Sequence, residues 1–67
     1  MSVYKIIDVV GVSDIHFSDA AKNAVEEAAK TVRGIRRAEI SKLDVKVEND
    51  NVVKYRAEVR ISFEIEK

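Results

Sequence analysis

The chain has 67 residues, 12 basic and 12 acidic side chains, no net charge and no cysteine. This length predicts a single domain over residues 1–67, and the missing cysteines exclude disulfides and thiolate metal sites. The balanced charge argues against nucleic acid as a partner, because phosphate neutralisation needs an excess of basic side chains. The sequence shows no signal peptide and no apolar run of membrane-spanning length, so we expect a cytoplasmic location and no membrane partner.

The first predicted element is a strand over Val3–Val10, a run rich in β-branched residues that stops at Gly11. Gly11 has no neighbouring glycines, so the sequence contains no phosphate loop and no dinucleotide fingerprint. Residues 12–17 connect this strand to the next element and include His16, the single histidine. Because no cysteine or serine partner stands in a recognisable arrangement with it, we interpret His16 as a surface or interface residue.

An alanine-rich helix follows the connection. Ser18 is a good N-cap residue, and apolar or small side chains then recur at helical spacing from Ala21 to Val32. On the outer face we expect an ion pair between Glu26 and Lys30, four residues apart. Gly34 is placed to end the helix in a left-handed conformation. The core side of this helix is mostly alanine, so it can approach a sheet closely.

The second predicted strand covers Ile35–Val47, and its apolar residues change phase partway along. Ala38 and Ile40 share one phase, whereas Leu43, Val45 and Val47 share the other. The slip between Ile40 and Leu43 indicates a β-bulge that redirects the strand. The next four residues, Glu-Asn-Asp-Asn at 48–51, form a turn by composition and lack the spacing of a calcium-binding EF-hand loop.

The last predicted strand has the clearest pattern in the chain. Apolar and polar residues alternate without interruption over the fourteen residues Val53–Glu66, which is typical of a strand with one dry and one wet face. At about 3.3 Å per residue the strand reaches roughly 46 Å, whereas a compact chain of this length has a radius of gyration of about 11 Å. One short helix cannot cover so long an apolar face.

These elements predict an α+β fold with β-α-β-β order, in which a three-stranded antiparallel sheet curls around one helix. The uncovered apolar face of the sheet must be buried on another subunit, because a domain of this size has only marginal stability alone. We therefore expect an obligate homo-oligomer.

Taken together, these elements and the motifs within them resemble the dodecin family. The resemblance is carried by the Gly-Val-Ser step at residues 11–13, the Ala-rich helix that ends near Thr-Val-Arg at 31–33, the strand opening Ala-Glu-Ile at 38–40 and the long last strand at 54–65. It covers essentially the whole chain. It implies a hollow homododecameric shell that binds or stores a small ligand, holds flavins (FMN, FAD or riboflavin) in pairs at subunit interfaces, and is not an enzyme.

Two family positions that carry flavin binding differ in this chain. The tryptophan that stacks on the flavin ring falls on Arg37, and the glutamine that hydrogen-bonds the polar edge of the ring falls on Arg56. A guanidinium can stack on a flat ring, but it only donates hydrogen bonds, whereas a flavin edge needs a donor and an acceptor. We therefore expect flavin affinity to be weakened. The alternative for both arginines is an interface salt bridge to Glu39 or Glu58.

A second branch of the family, the calcium dodecins, also lacks the stacking tryptophan. The opening residues 1–5, the Ile-Arg step at 35–36 and the Tyr-Arg pair at 55–56 resemble that branch. Resemblance to this branch implies binding of Ca²⁺, a hard cation that prefers several oxygen ligands. Asp8, within an apolar strand, and Asp44, just past the bulge, are the candidate metal ligands. Their alternatives are a solvated strand face for Asp8 and ordinary surface chemistry for Asp44.

The candidate cofactor-binding residues are thus Arg37, Arg56, Asp44 and Lys46, the last of which shares a strand with Asp44. Flavin binding is the leading hypothesis, and a divalent-cation-binding variant without flavin is the first alternative. A structural shell without a specific ligand is the other. No nucleophile–base pair or metal triad supports an enzyme.

Overall fold

Three antiparallel strands and one helix make up residues 2–65, the part of the chain that the computed structural model describes. Strand β1 spans Val3–Ser13, helix α1 spans Phe17–Ala28, β2 spans Ile35–Glu48 and β3 spans Asn51–Ile65. The order across the sheet is β1-β3-β2, and both outer strands run antiparallel to β3. The predicted β-α-β-β architecture is confirmed, and the last strand of the chain lies in the centre of the sheet.

Strand β1 is longer than predicted, because Gly11 does not end it. The strand continues to Ser13, and Gly11 pairs with Ala57 of β3. A Cβ atom at Gly11 would lie 1.9 Å from the carbonyl oxygen of Ala20 and 2.8 Å from Cβ of Ala24. The glycine is therefore the place where the backbone of α1 rests directly on the strand, a contact that no side chain permits.

The helix begins at Phe17, so the prediction of Ser18 as its N-cap is wrong. The N-cap is His16, whose Nδ1 accepts a hydrogen bond from the backbone N–H of Asp19 at 3.4 Å. The hydroxyl of Ser13 donates to the carboxylate of Asp19 at 2.8 Å. Ser18 lies inside the first turn, with its hydroxyl 2.6 Å from Nδ1 of His16. An imidazole nitrogen thus supplies the acceptor that the first helical N–H groups need.

The helix ends at Ala28, four residues earlier than the predicted Val32. The backbone N–H groups of Thr31 and Val32 both bond to the carbonyl of Ala28, at 3.1 and 2.9 Å, and close the last turn. The backbone of Gly34 is left-handed, with φ of +78°, but this residue directly precedes β2 and does not cap the helix. Within residues 2–65 no helix has the length and apolar character needed to cross a membrane.

The ion pair on the outer face of the helix differs from the expected one. Lys30 contacts Glu27 at 2.7 Å, three residues away, rather than Glu26. The hydrogen bond from Lys30 to Glu27, together with the charge of Glu27, raises the pKa of Lys30. Both side chains are well exposed, so this pair adds little to stability.

The core is a thin layer between α1 and the centre of the sheet. The predicted dry face of β3 is confirmed, because its middle residues are buried under the alanines of the helix. The buried apolar residues are Ala20, Ala24, Ala28, Ala57, Val59 and Ile61. Beside this core, Phe17 packs edge-on against Tyr55 with ring centroids 5.2 Å apart. Small side chains on the helix allow the close approach that the alanine content predicts.

Strand β2 carries the predicted bulge, since its register with β3 shifts between Ile40 and Lys42. The strand then continues to Glu48, one residue beyond the predicted end. Asn49 and Asp50 form the predicted turn, and both have positive φ, at 51° and 64°. This pair of left-handed residues is typical of a two-residue hairpin turn. β3 starts directly after it, and the predicted last strand residue, Glu66, lies outside the described residues.

The sheet is much longer than the helix that covers it. The principal extents are 51 × 19 × 13 Å and the radius of gyration is 13.7 Å, against roughly 11 Å for a compact chain of this length. Helix α1 has 12 residues, a length of about 18 Å, and packs on β1 and β3. Strand β2 therefore carries an uncovered apolar patch on the helix side, the β2 stripe, which consists of Ile40, Leu43 and Val45 and is 38% to 48% exposed.

The opposite face of the sheet has its own uncovered apolar patch. Residues Ile7, Val9 and Gly11 of β1 pair with the buried positions of β3, so the alternate residues point away from the helix. The patch, the β1 stripe, consists of Tyr4, Ile6, Val10 and Val12, which are 45% to 55% exposed. The two stripes thus lie on opposite faces and at opposite edges of the sheet.

The contact at Gly11 generates a test of the fold. Gly11→Ala places a methyl group within the backbone of α1, and we expect it to lower the free energy of unfolding by about 3 kcal/mol, measured by denaturant titration followed by circular dichroism. Gly34→Ala is the matched control. In this variant the free energy of unfolding should fall by only about 1 kcal/mol, because an alanine is strained in the left-handed conformation but its Cβ has room beside Glu64. Equal losses in the two variants would show that the helix does not rest on Gly11.

Candidate ligand-binding face

On the sheet face that points away from the helix, β2 and β3 present mostly charged side chains beside the β1 stripe. Each row across the sheet takes one residue from β1, one from β3 and one from β2, because pairing places them side by side. Neighbouring charges in a row are mostly opposite. The rows centred on β3 are Val12–Arg56–Asp44, Val10–Glu58–Lys42, Asp8–Arg60–Glu39 and Ile6–Ser62–Arg37. All four sequence-predicted arginine and aspartate candidates lie on this face.

Arg56 and Asp44 face each other in one of these rows. Arg56 Nε lies 3.6 Å from Asp44 Oδ1, too far for a good hydrogen bond. That carboxylate oxygen is shielded from solvent and has no hydrogen-bond donor within residues 2–65, although the rest of the side chain is half-exposed. Lys46 stands in the next row of β2 and contacts Glu48 at 3.3 Å. The structure thus brings three of the predicted cofactor-binding residues into one patch.

Arg37 lies away from that patch. It is in the row of Ser62 on β3, six residues from Arg56, a separation of roughly 20 Å along the strand. There it lines a shallow groove with Ile6, Glu39 and Arg60. A register shift at the start of β2 precedes it. One chain therefore does not bring Arg37 and Arg56 to the same ligand.

The two candidate metal ligands are also separated. Asp8 contacts Arg60 at 3.3 Å on the β1 side, whereas Asp44 faces Arg56 on the β2 side. Two interstrand spacings across the sheet and four residues along the strands separate them, a distance of roughly 16 Å. Residues 2–65 contain no group of three or more histidine, aspartate or glutamate side chains placed to hold a metal ion. A metal ion held by three such side chains would therefore need ligands from outside residues 2–65 of one chain.

The structure brings His16 into contact with a serine, which the sequence interpretation missed. The hydroxyl of Ser18 and the backbone N–H of Asp19 both lie within hydrogen-bond distance of Nδ1 of His16, so this nitrogen caps the helix N-terminus. No carboxylate bonds to the imidazole within the described chain, and both side chains are exposed. This arrangement lacks the third group that orients a catalytic base. The contact is a helix cap in its geometry.

Three polar residues of β3 join the face without having been singled out as candidates. Lys54 forms an ion pair with Asp14, Arg60 pairs with Asp8, and Ser62 lines the groove at Arg37. The alternation of β3 is the signal that could have found them. It places every second residue from Lys54 to Glu64 on the wet face, beside Arg56.

Comparison with known proteins adds to this geometry. The family model described as Dodecin matches residues 3–66. The calcium dodecin of Mycobacterium tuberculosis is 37% identical over 65 residues, which are 97% of this chain and 92% of that protein. Its crystal structure, that of a calcium-chelating immunodominant antigen with a novel calcium-binding site, matches with a TM-score of 0.86 and 35% identity. This match covers 97% of this chain and 93% of that chain.

Two further solved structures share the fold. The dodecin of Streptomyces coelicolor matches with a TM-score of 0.94 and 26% identity, over 98% of this chain and 94% of that one. An arginine-to-alanine mutant of the Thermus thermophilus dodecin matches with the same TM-score and 25% identity, over the whole of both chains. The β-α-β-β unit, its long strands and its single helix are therefore shared with these proteins.

Proposed function

The chain belongs to the dodecin family, and from that premise we propose that it is a non-enzymatic homododecamer that binds or stores a small ligand in the cytoplasm. The observation that carries the proposal is the pair of uncovered apolar stripes on the long sheet. Seven large apolar side chains lie in them at 38% to 55% exposure. Asp8 interrupts the β1 stripe between Ile6 and Val10, whereas the β2 stripe contains apolar residues alone. Exposed apolar side chains grouped in this way on a small chain mark an interaction surface.

The position of the two stripes supports an assembly larger than a dimer. A two-fold interface buries the same patch on both partners. A compact two-fold interface therefore covers only one face of the sheet. The β1 stripe and the β2 stripe lie on opposite faces and at opposite edges. Each therefore needs its own interface. Two interfaces for each subunit are what a closed shell of many subunits uses, and the family likeness supplies the number twelve.

The assembly has a direct test. We expect light scattering and native mass spectrometry to give the mass of twelve chains, and Leu43→Glu and Ile6→Glu each to reduce it, because each puts a charge into one stripe. Ile15→Glu is the matched control, since Ile15 is 67% exposed but lies outside both stripes. A wild-type mass of one or two chains would contradict the proposal. A twelve-chain mass without ligand increments would favour the ligand-free shell.

Flavin is the first candidate ligand, at a site shared between subunits. Arg37 and Arg56 occupy the positions that carry flavin binding in the family resemblance, and they lie roughly 20 Å apart in one chain. A ligand that contacts both therefore sits where subunits meet. An arginine can stack on the flat ring, but neither can accept a hydrogen bond from it. We propose that the chain holds flavin weakly.

Restoring the family residues tests the flavin site. The double variant Arg37→Trp/Arg56→Gln should bind FMN at least about tenfold more tightly than the wild type, because it regains a stacking ring and a hydrogen-bond acceptor. Quenching of flavin fluorescence measures the affinity. Arg33→Trp/Lys22→Gln is the matched control, because both residues are exposed and lie outside the candidate site, and it should leave the affinity unchanged. Equal affinity in the wild type and the first double variant would show that these two positions do not hold flavin.

Calcium is the second candidate ligand, and the shielded oxygen of Asp44 favours it. Asp44 Oδ1 lacks a hydrogen-bond donor within residues 2–65, and a carboxylate oxygen left in this state is available to a hard cation. The relative from Mycobacterium tuberculosis is a calcium dodecin. Since no metal-binding group of three forms within the described chain, the remaining oxygens would come from a neighbouring subunit.

Asp44→Asn tests calcium binding without unfolding the protein. The ion pair with Arg56 is partly exposed, so its loss should change stability by less than about 1 kcal/mol. We expect native mass spectra of the wild type to show calcium increments that a chelator removes, and spectra of Asp44→Asn to show none. Glu48→Gln is the control on the same strand. Calcium increments retained in Asp44→Asn would exclude this residue as a ligand.

A further inference from the structure

The two apolar stripes lie on opposite faces of the sheet and on its two edge strands. The β2 stripe lies on the helix side, because its Leu43 pairs with the buried Ala57 of β3. The β1 stripe lies on the outer face, where its Val10 pairs with the polar Glu58. A sheet with apolar surface on opposite faces at its two edges can overlap the next copy edge over edge, with both sheets keeping the same orientation.

Asp8 stands at the centre of the β1 stripe, and its charge disfavours a contact between two β1 stripes. It lies midway between Tyr4 and Val12 along the strand, on the same face. A two-fold contact centred on this stripe brings the Asp8 carboxylates of both copies together, and like charges juxtaposed in an interface are unfavourable. The β2 stripe contains no charged residue, so it presents no like charge to Asp8. Within its own sheet Asp8 already has a counter-ion, Arg60 at 3.3 Å.

Helix α1 leaves room for a second sheet layer beside it. The helix packs on β1 and β3, so the helix side of β2 forms a step next to it. An α-helix with its side chains is about 10–12 Å across, and sheets stack face to face about 10 Å apart. A neighbouring sheet that lies on the β2 stripe therefore stands at about the height of the helix and fits into the step. The outer face of a neighbour's β1 can make this approach, because its own helix lies on the other face.

We propose that the β2 stripe of one copy packs on the β1 stripe of the next copy, so that the two stripes are the two halves of one head-to-tail interface. The inference rests on the proposed homo-oligomer and names the surfaces of it that meet. Each subunit takes part in two such contacts, one through each edge strand. A repeated head-to-tail contact closes into a ring when its rotation permits. The partner of each stripe is therefore the opposite edge of another copy of the same chain.

Cross-linking of the assembled protein tests which stripes meet. The chain has no cysteine, so Leu43→Cys and Val10→Cys each place a single thiol in one stripe and keep a small apolar side chain there. The two variants are unfolded, refolded together and treated with a short bismaleimide. We expect cross-linked dimers that hold one chain of each variant, and none when either variant is refolded alone. Cross-links confined to chains of the same variant would overturn the proposal, because each stripe would then pack on its own kind.

Ile15→Cys is the matched control for the cross-linking. Ile15 is 67% exposed, so its thiol reacts as readily, but it lies outside both stripes. Refolded together with Val10→Cys, it should give no mixed dimers. A yield of mixed dimers equal to that of the Leu43→Cys and Val10→Cys pair would overturn the proposal, because the reagent would then report random encounters instead of an interface.

Mixing of two charged variants supplies a second measurement. Leu43→Glu keeps its β1 stripe intact, and Ile6→Glu keeps its β2 stripe intact. Because the intact stripe of one variant fits the intact stripe of the other, we expect the mixture to form complexes that contain both chains. Native mass spectra identify them when one variant is labelled with heavy nitrogen. Contact between like stripes gives dimers of each variant with itself and none that contain both, and that result would overturn the proposal.

The outcomes keep this inference apart from the proposed function. A wild type that stays a single chain contradicts the proposed assembly and the head-to-tail contact together. A twelve-chain wild type whose cross-links join only like stripes keeps the assembly and removes the head-to-tail contact alone.

Discussion

The structure depends on one close contact, the backbone of α1 resting on β1 at Gly11. The carbonyl of Ala20 and the methyl of Ala24 occupy the space that any side chain at this position would fill. Because the contacting residues are so small, the helix lies low over the sheet and seals Ala57 and Val59 beneath it. A thin core of this kind gains stability from close packing rather than from large buried side chains.

A thin core under a short helix leaves most of a long sheet without cover. The strands extend far beyond α1, and apolar side chains appear on both faces where the helix does not reach. A chain of this size buries too little surface for much stability of its own. In the proposed assembly, subunit contacts would supply the missing burial, which would link folding to oligomerisation. The proposed subunit contacts thus lie on the same sheet that carries the helix.

The charged face carries both arginines that we propose at the family's flavin-binding positions. At the proposed flavin site, arginines at positions 37 and 56 would replace ring stacking and two-way hydrogen bonding with positive charge. Most charged residues of β3 on this face have an oppositely charged neighbour on β2, whereas Arg37 has Ser62. The Lys46–Lys54 row pairs like charges, and each lysine there contacts a carboxylate outside the row, Lys46 with Glu48 and Lys54 with Asp14.

The sequence by itself determined the number and type of the elements, the dry face of the last strand, the bulge in β2 and the family, because side-chain periodicity reports directly which residues share a face. The sequence did not show that Gly11 is where the helix contacts β1 rather than the point where β1 ends. It also did not show that His16 caps the helix. It also did not show that Lys46 meets Lys54, or that Arg37 and Arg56 lie far apart in one chain. Those facts follow from strand order and register. Both are set by pairing between residues distant in sequence, and only the folded sheet with β3 at its centre fixes them.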